Sequence, residues 1–154
     1  MKEDENMKEY DDIINKYASD IINNKKYLSQ DKYIQHGKTS VLTHELNVTK
    51  YALKIVKKYK IKVDHRSLVR GSLLHDYFLY DWHISDKSHR LHGFHHARKA
   101  MENADKDFNL NKIEKNMILC HMFPLNLRIP KYKESIILCI SDKIVATIET
   151  IKRK

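Results

Sequence analysis

In the segment DHRSLVRGSLLHD, residues 64–76, a helix-capping residue is followed by apolar residues at helical spacing. Asp64 is one of the residue types that cap helix N-termini. The apolar positions that follow it lie on one side of a helix and are Leu68, Val69, Leu73 and Leu74. We therefore predict an amphipathic helix that begins after Asp64 and ends near Asp76.

The same spacing recurs on both sides of this segment. It predicts a helix over residues 6–28, a second helix capped by Thr39 or Ser40, and later helices over residues 95–104, 111–122 and 131–151. Only 3 Gly and 2 Pro are present, too few turn residues for the many short strands of a sandwich or barrel. The prediction is an all-α fold in which residues 1–154 form one domain.

Composition and hydropathy restrict the class of protein. The chain has 154 residues, of which 42% are hydrophobic and 32% charged, and its mean hydropathy is −0.63. The longest uninterrupted apolar run covers residues 136–140, far short of the ~20 residues that a membrane-spanning helix needs. No apolar signal segment follows the N-terminus, and Cys120 and Cys139 give no disulfide framework. We expect a cytoplasmic protein with free thiols and no membrane partner.

The net charge leaves one alternative open. A formal charge of +9 would suit a nucleic-acid-binding module. The lysines, however, are spread over most of the chain instead of forming one basic block, which favours a solvated basic surface. The 10 histidines are the more unusual feature, and they are concentrated between His75 and His121.

Several histidines and carboxylates stand among the apolar residues of the predicted helices. His44, His121 and Asp142 each have apolar neighbours, and His75 and Asp76 end the segment quoted above. Burying a carboxylate is costly unless a cation or a hydrogen-bond donor neutralises its charge. Helical bundles build metal sites from side chains on facing helices. These residues are therefore candidate metal ligands, the alternative being hydrogen-bonded polar groups of the core.

The chain resembles the HD-domain metal-dependent phosphohydrolases over nearly all of residues 35–149. The resemblance rests on His44, on His75 and Asp76 in the block LLHD, and on Asp142 in the segment SDKIVA. Parts of this region are similar to a clostridial-type subgroup of the family. The resemblance implies a single helical HD domain with its core over residues 35–149, and it leaves the N-terminal helix, within residues 1–30, outside the motif region.

Two further histidines match the dinuclear branch of the family: His96 in HHARKA and His121 in CHMFP. The resemblance implies that one ion is held by His44, His75, Asp76 and Asp142, and that Asp76 bridges to a second ion held by His96 and His121. Mixed imidazole and carboxylate ligands suit Mn, Fe, Ni or Zn better than Mg. The expected cofactor is therefore one or two divalent transition-metal ions.

The resemblance also implies hydrolysis of a phosphate ester or phosphoanhydride, in a nucleotide or another small phosphate compound, by a metal-activated water. Asp76 and Lys143 are the expected catalytic residues, because one bridges the ions and the other would reach a phosphate oxygen. The candidate substrate-binding residues are His36, His92 and Arg98. Asp81 is a candidate acceptor that would orient a water or a ligand histidine.

Departures from the family pattern leave some choices open. Leu79 stands where the related dinuclear groups have a lysine. The second-metal ligand is His92, His95 or His96, with His96 preferred. Two other functions stay open: an HD protein that binds a nucleotide without turnover, and the basic nucleic-acid-binding module. The sequence does not decide the oligomeric state.

Overall fold

The computed structural model describes residues 2–79 and 92–152, and within them the protein is built almost entirely of helices. The α-helices are α1 (Lys2–Ile22), α2 (Lys25–Leu28), α3 (Val41–Tyr59), α4 (His65–Leu74), α5 (His92–Phe108), α6 (Lys112–Cys120) and α7 (Lys133–Lys152). A 3₁₀ turn (Ser29–Lys32) leads into a small antiparallel pair, β1 (Ile34–His36) and β2 (Thr39–Ser40). The predicted all-α class is confirmed.

Local capping explains where most of these helices begin. The side chains of Ser40 and Asp64 accept hydrogen bonds from the backbone N–H groups of the first turns of α3 and α4. Asn111 does the same for α6, and Glu114 returns the bond to the Asn111 backbone in a capping box. The predicted starts of these three helices are confirmed, and the cap of α3 is Ser40.

Two predicted helices have wrong boundaries. The helix predicted over residues 6–28 begins at Lys2 and ends at Ile22, and it ends there because Asn24 caps a new short turn by accepting the Tyr27 N–H. The helix predicted over residues 95–104 begins at His92 and extends to Phe108. Phe108 packs against Tyr77, with ring centroids 5.7 Å apart, and this tertiary contact supports a last turn that has little apolar periodicity of its own.

The packing of four helices defines the interior. Helix α3 packs against α4 and α7, and α6 packs against the same two helices from the other side. Gly71 lets α4 and α6 approach closely, since a Cβ at this position would lie 2.5 Å from Met117 Sδ. Helix α5 lies against α6, and α1 covers α4. The core between them includes the fully buried Leu68, Leu74 and Leu138.

This arrangement brings polar residues of several helices to one buried place. His44 lies in the first turn of α3, and His75 and Asp76 follow the end of α4. His121 follows the end of α6, and Asp142 lies in the middle of α7. Among the described helices, none combines the length and the apolar character required to cross a membrane.

Candidate metal centre

Six histidine and aspartate side chains meet in the interior, and all six are buried. They are His44, His75, Asp76, His96, His121 and Asp142. They form two groups that share Asp76, and within each group the candidate ligand atoms lie within 4.8 Å of one another. The six are the residues that the sequence analysis proposes as metal ligands.

The first group is centred on Asp142. Its Oδ1 lies 2.9 Å from His44 Nε2 and 3.2 Å from His75 Nε2. The Oδ2 atom of Asp76 faces the same two imidazoles, at 3.5 Å from His44 Nε2 and 3.2 Å from His75 Nε2. Two imidazole nitrogens and two carboxylate oxygens therefore converge on one point.

The second group uses the other oxygen of Asp76. Oδ1 of Asp76 lies 3.4 Å from His96 Nε2 and 3.3 Å from His121 Nε2. The two imidazole nitrogens are 3.0 Å apart. Each carboxylate oxygen of Asp76 thus faces a different group, which is the arrangement of a bridging ligand.

The outer ring nitrogens of three histidines are held by hydrogen bonds. His75 Nδ1 donates to the Ser72 carbonyl and His121 Nδ1 to the Ile118 carbonyl, each over 2.6 Å. Both histidines follow the last residue of a helix, and each bonds to the carbonyl three residues earlier. Because the Nδ1 atoms carry the protons, the Nε2 lone pairs point into the centre.

The third of these histidines is oriented by a carboxylate. His44 Nδ1 lies 2.8 Å from Glu149 Oε2, and Glu149 Oε1 accepts a hydrogen bond from Asn47 Nδ2 over 3.2 Å. A carboxylate in this position fixes the ring and raises the basicity of the ligating nitrogen. Glu149 therefore orients and electrostatically supports His44 from outside the cluster of candidate ligands.

The helix end explains how His75 and Asp76 both reach the centre. Successive residues on a regular helix point about 100° apart. Helix α4 ends at Leu74, His75 still has a helical backbone conformation as its C-cap, and Asp76 follows beyond the regular helix. The 2.7 Å hydrogen bond from Gln35 Nε2 to Asp76 Oδ2 then holds the carboxylate.

The charges in the centre shift the pKa values of its members. Burial alone would lower the pKa of His44, but the hydrogen-bonded carboxylates of Asp142 and Glu149 raise it to about 9. Burial would also lower the pKa of His75, but the carboxylates of Asp76 and Asp142 raise it well above its ordinary value. Burial would raise the pKa of Asp142, but His44 and His75 beside it have the larger effect and lower that pKa below its ordinary range. The centre thus favours positive charge at its imidazoles.

His121 lies on the other side of Asp76 and behaves differently. Burial lowers the pKa of His121 from its ordinary value, although the Asp76 carboxylate opposes the shift. The neutral imidazole is the form that binds a metal ion. His121 is therefore prepared to act as a ligand near neutral pH.

The spacing of the ligand atoms fits a bound ion. Metal–nitrogen and metal–oxygen bonds of ~2.0–2.2 Å place neighbouring ligand atoms about 3–3.5 Å apart, and the distances within both groups match. Oδ1 of Asp76 is buried and has the Nε2 atoms of His96 and His121 at 3.4 and 3.3 Å, longer than a good N–H···O hydrogen bond. Such a polar atom needs a partner, and a cation between Asp76, His96 and His121 would supply one. The buried His and Asp groups could hold a metal ion.

A cavity of about 530 Å³ opens on this centre. The described residues that line it are Gln35, Asp76, His96, His121, Met122, Pro124, Leu125, Asp142, Lys143 and Ala146. The Lys143 ammonium donates to the His121 carbonyl over 3.2 Å and lies 2.9 Å from Cys139 Sγ. Lys143 is therefore next to the centre, as its predicted role requires.

Other predicted site residues lie elsewhere or outside the described atoms. Arg98 is exposed, ion-pairs with Glu102 over 3.2 Å and does not line the described part of the cavity. It lies two positions after His96, about 200° further around α5, so the inward direction of His96 turns Arg98 to solvent. His95 is exposed. Asp81 and the side chains of His36 and His92 lie outside the described residues.

Sequence reasoning missed three residues around the centre. Gln35 holds Asp76, and Glu149 holds His44. Glu45 is fully buried beside the centre, neither of its carboxylate oxygens makes a hydrogen bond to the described residues, and burial raises its pKa well above the ordinary value. A signal existed for Glu149, which follows Asp142 by seven residues and so lies on the same face of α7. No comparable signal marks Gln35.

The helical fold and its buried His and Asp cluster are compatible with an HD-like fold. The order of these residues along the chain and the geometry of the centre both agree with that fold. In comparisons with known proteins, the chain matches no family model, no curated protein and no solved structure.

Proposed function

We propose that this protein is a metal-dependent phosphohydrolase of the HD type. Its substrate is a phosphate ester or phosphoanhydride of a nucleotide or another small phosphate compound, and the nucleophile is water. One observation carries the proposal: the two oxygens of Asp76 face two separate groups of candidate ligands. A bridging carboxylate sets the distance between two ions, and paired cations are suited to in-line attack on phosphorus.

Each residue of the centre has a defined task in this proposal. His44, His75 and Asp142 would hold one ion, His96 and His121 would hold the second, and Asp76 would contribute to both. Bound ions would polarise the phosphoryl oxygens and lower the pKa of a water at the centre. Gln35 keeps Asp76 in its bridging orientation through the 2.7 Å hydrogen bond.

Lys143 assists the substrate and not the nucleophile. Its ammonium lies on the cavity side of α7, one residue after Asp142, where it can approach a phosphate oxygen. Since two cations already carry most of the electrostatic stabilisation, Lys143→Ala should lower turnover by no more than roughly a hundredfold, the low end for one positioned donor. Turnover that vanishes in this variant while both ions stay bound would contradict this assignment.

The proposal is tested with purified protein loaded anaerobically with Mn, Fe or Zn. Metal content is measured by elemental analysis, and phosphate release is measured over nucleotides, dinucleoside polyphosphates and cyclic nucleotides. We expect about one to two ions per chain, and turnover that an excess of chelator removes. Turnover that survives exhaustive chelation, or protein that takes up no metal, would contradict the proposal.

Helix α5 offers a matched pair of variants for the same test. His96→Ala removes a buried candidate ligand, whereas His95→Ala changes an exposed neighbour on the same helix. His96→Ala should lose the ion held by His96 and His121 and should lose turnover. His95→Ala should keep that ion and its turnover. Full metal retention with no phosphate release from any substrate would favour the alternative in which the protein binds a nucleotide without turnover.

A further inference from the structure

The cavity beside the centre is lined by residues of two chemical kinds. The candidate ligands among them are called its floor, whereas four apolar lining residues are called the apolar wall: Met122, Pro124, Leu125 and Ala146. A volume of about 530 Å³ is in the range of pockets that enclose an organic molecule, roughly 300–1,000 Å³, and is far more than a phosphate group fills. The space beyond the floor therefore has to be explained by something other than phosphate.

The apolar wall is fixed close to the ions by the chain itself. Met122 directly follows His121, and Ala146 lies one helical turn after Asp142 on α7. A group bonded to the reacting phosphorus would reach the wall without a long spacer. The wall is thus placed to contact the organic part of the substrate.

Exposure of the apolar wall supports the same conclusion. Leu125 leaves 56% of its surface exposed, although it borders a polar, buried centre. An apolar surface from which a ligand displaces water contributes to the affinity for that ligand. The wall is continuous with the candidate catalytic centre, so the partner most consistent with it is the substrate.

We propose that the substrate is a phosphate monoester of an alcohol with an apolar or aromatic body, which packs against Met122, Pro124, Leu125 and Ala146. This inference rests on the proposed function and names its substrate class. In the reaction, the water oxygen forms a new bond to phosphorus and the ester P–O bond breaks. The departing alcohol oxygen takes one proton from the water, and the other stays with the phosphate product.

A binding series tests the apolar wall without relying on turnover. The probes are n-alkylphosphonates from methyl to hexyl, which carry a phosphate-like group but no hydrolysable ester, and calorimetry on the metal-loaded protein measures their affinity. Each methylene that leaves water should improve affinity by roughly fourfold until the wall is covered. Equal affinity for methyl- and hexylphosphonate would overturn the inference.

A matched pair of variants locates the effect. Leu125→Ala shortens the wall, whereas Leu127→Ala changes a residue of the same loop that is 85% exposed and does not line the described part of the cavity. Leu125→Ala should reduce the hexyl-to-methyl affinity ratio about fivefold, and Leu127→Ala should leave the ratio unchanged. The inference is overturned if both variants keep the ratio, or if both lower it equally.

Hydrolysis of alkyl and aryl phosphates separates the two levels of the argument. Phosphate release that increases with the size of the apolar group supports both the proposed function and the proposed substrate class. Release from methyl phosphate and larger esters at equal kcat/KM overturns the substrate class and leaves the proposed function standing. A binding series that responds to the wall without any phosphate release overturns the proposed function, because the wall then serves a bound ligand that is not hydrolysed.

Discussion

Glu149 gives the sharpest test of how the candidate metal centre is built. Its carboxylate lies 2.8 Å from His44 Nδ1 and is buried, yet it touches none of the other candidate ligands in the described hydrogen-bond network. Glu149→Gln keeps the volume and an acceptor oxygen but removes the negative charge. The change therefore isolates the electrostatic support that Glu149 gives to His44.

The expected magnitude follows from this geometry. Removing the partner of a ligating histidine typically lowers metal affinity about 10–100-fold, equivalent to ~1.4–2.7 kcal/mol. The loss should be confined to the ion held by His44, His75 and Asp142. The ion held by His96 and His121 should keep its affinity within about twofold, because the hydrogen bonds described for Glu149 go to His44 and Asn47 and not to these two residues.

Competition with a chromophoric chelator measures both affinities in one titration. Glu102→Gln is the matched control, since it removes an exposed carboxylate that pairs only with Arg98 among the described residues. Circular dichroism confirms that each variant keeps its helices. The reasoning is refuted if Glu149→Gln binds the first ion as tightly as the unaltered protein, or if it weakens both ions equally.

Three further predictions follow from the same cluster. The pKa of His44 is about 9 in the folded protein, against an ordinary 6.5. The free energy of unfolding of the metal-free protein should therefore fall by up to about 3 kcal/mol as pH rises from 6.5 to 9. Urea unfolding at several pH values measures this free energy, and a value independent of pH would contradict the prediction. Asp76→Asn should weaken the binding of both ions, whereas Asp142→Asn should weaken chiefly the binding of the first ion. Elemental analysis measures the metal bound per chain, and equal metal content in the two variants would argue against a bridging role for Asp76. Burial raises the pKa of Glu45, so the folded protein holds a proton there that the unfolded chain releases above its ordinary pKa. The free energy of unfolding of Glu45→Gln should therefore rise relative to that of the unaltered protein by up to about 1.4 kcal/mol per pH unit above 4.5. A difference between the two proteins that does not change with pH would refute the claim that Glu45 is neutral in the folded protein.

The helices could be predicted because their signals are local. Asp64 and Asn111 cap helices through bonds to residues three positions away, and apolar periodicity lies within each helix. The break at Asn24 and the extension of α5 to Phe108 were missed for different reasons. Asn24 acts within an otherwise periodic segment, and Phe108 depends on Tyr77, a residue 31 positions earlier in the chain.

The candidate ligands were proposed from residue type, order and family resemblance, and the structure brings all six together. Their supporting residues could not be found in this way. The bond from Gln35 to Asp76 spans 41 residues, and the bond from His44 to Glu149 spans 105. Glutamine and glutamate are common surface residues, so their type alone predicts no role. Only the packing of α7 and β1 against α3 decides which of them face the centre.

The charge balance of the centre links its fold to its proposed chemistry. Asp76 and Asp142 are buried between imidazoles, and their charges raise the pKa values of His44 and His75, so protons neutralise the carboxylates when no metal is bound. A metal ion competes with those protons for the same Nε2 atoms. The apolar core that holds the helices together includes Leu68, Leu74 and Leu138, so we expect removal of metal by a chelator to leave the helices folded. A purely structural metal site is closed by its ligands, whereas this centre borders a cavity through Asp76 and His96. Cations bound at this centre would lie beside the cavity, where an anionic substrate could contact them. This is the physical reason to test phosphate compounds as substrates.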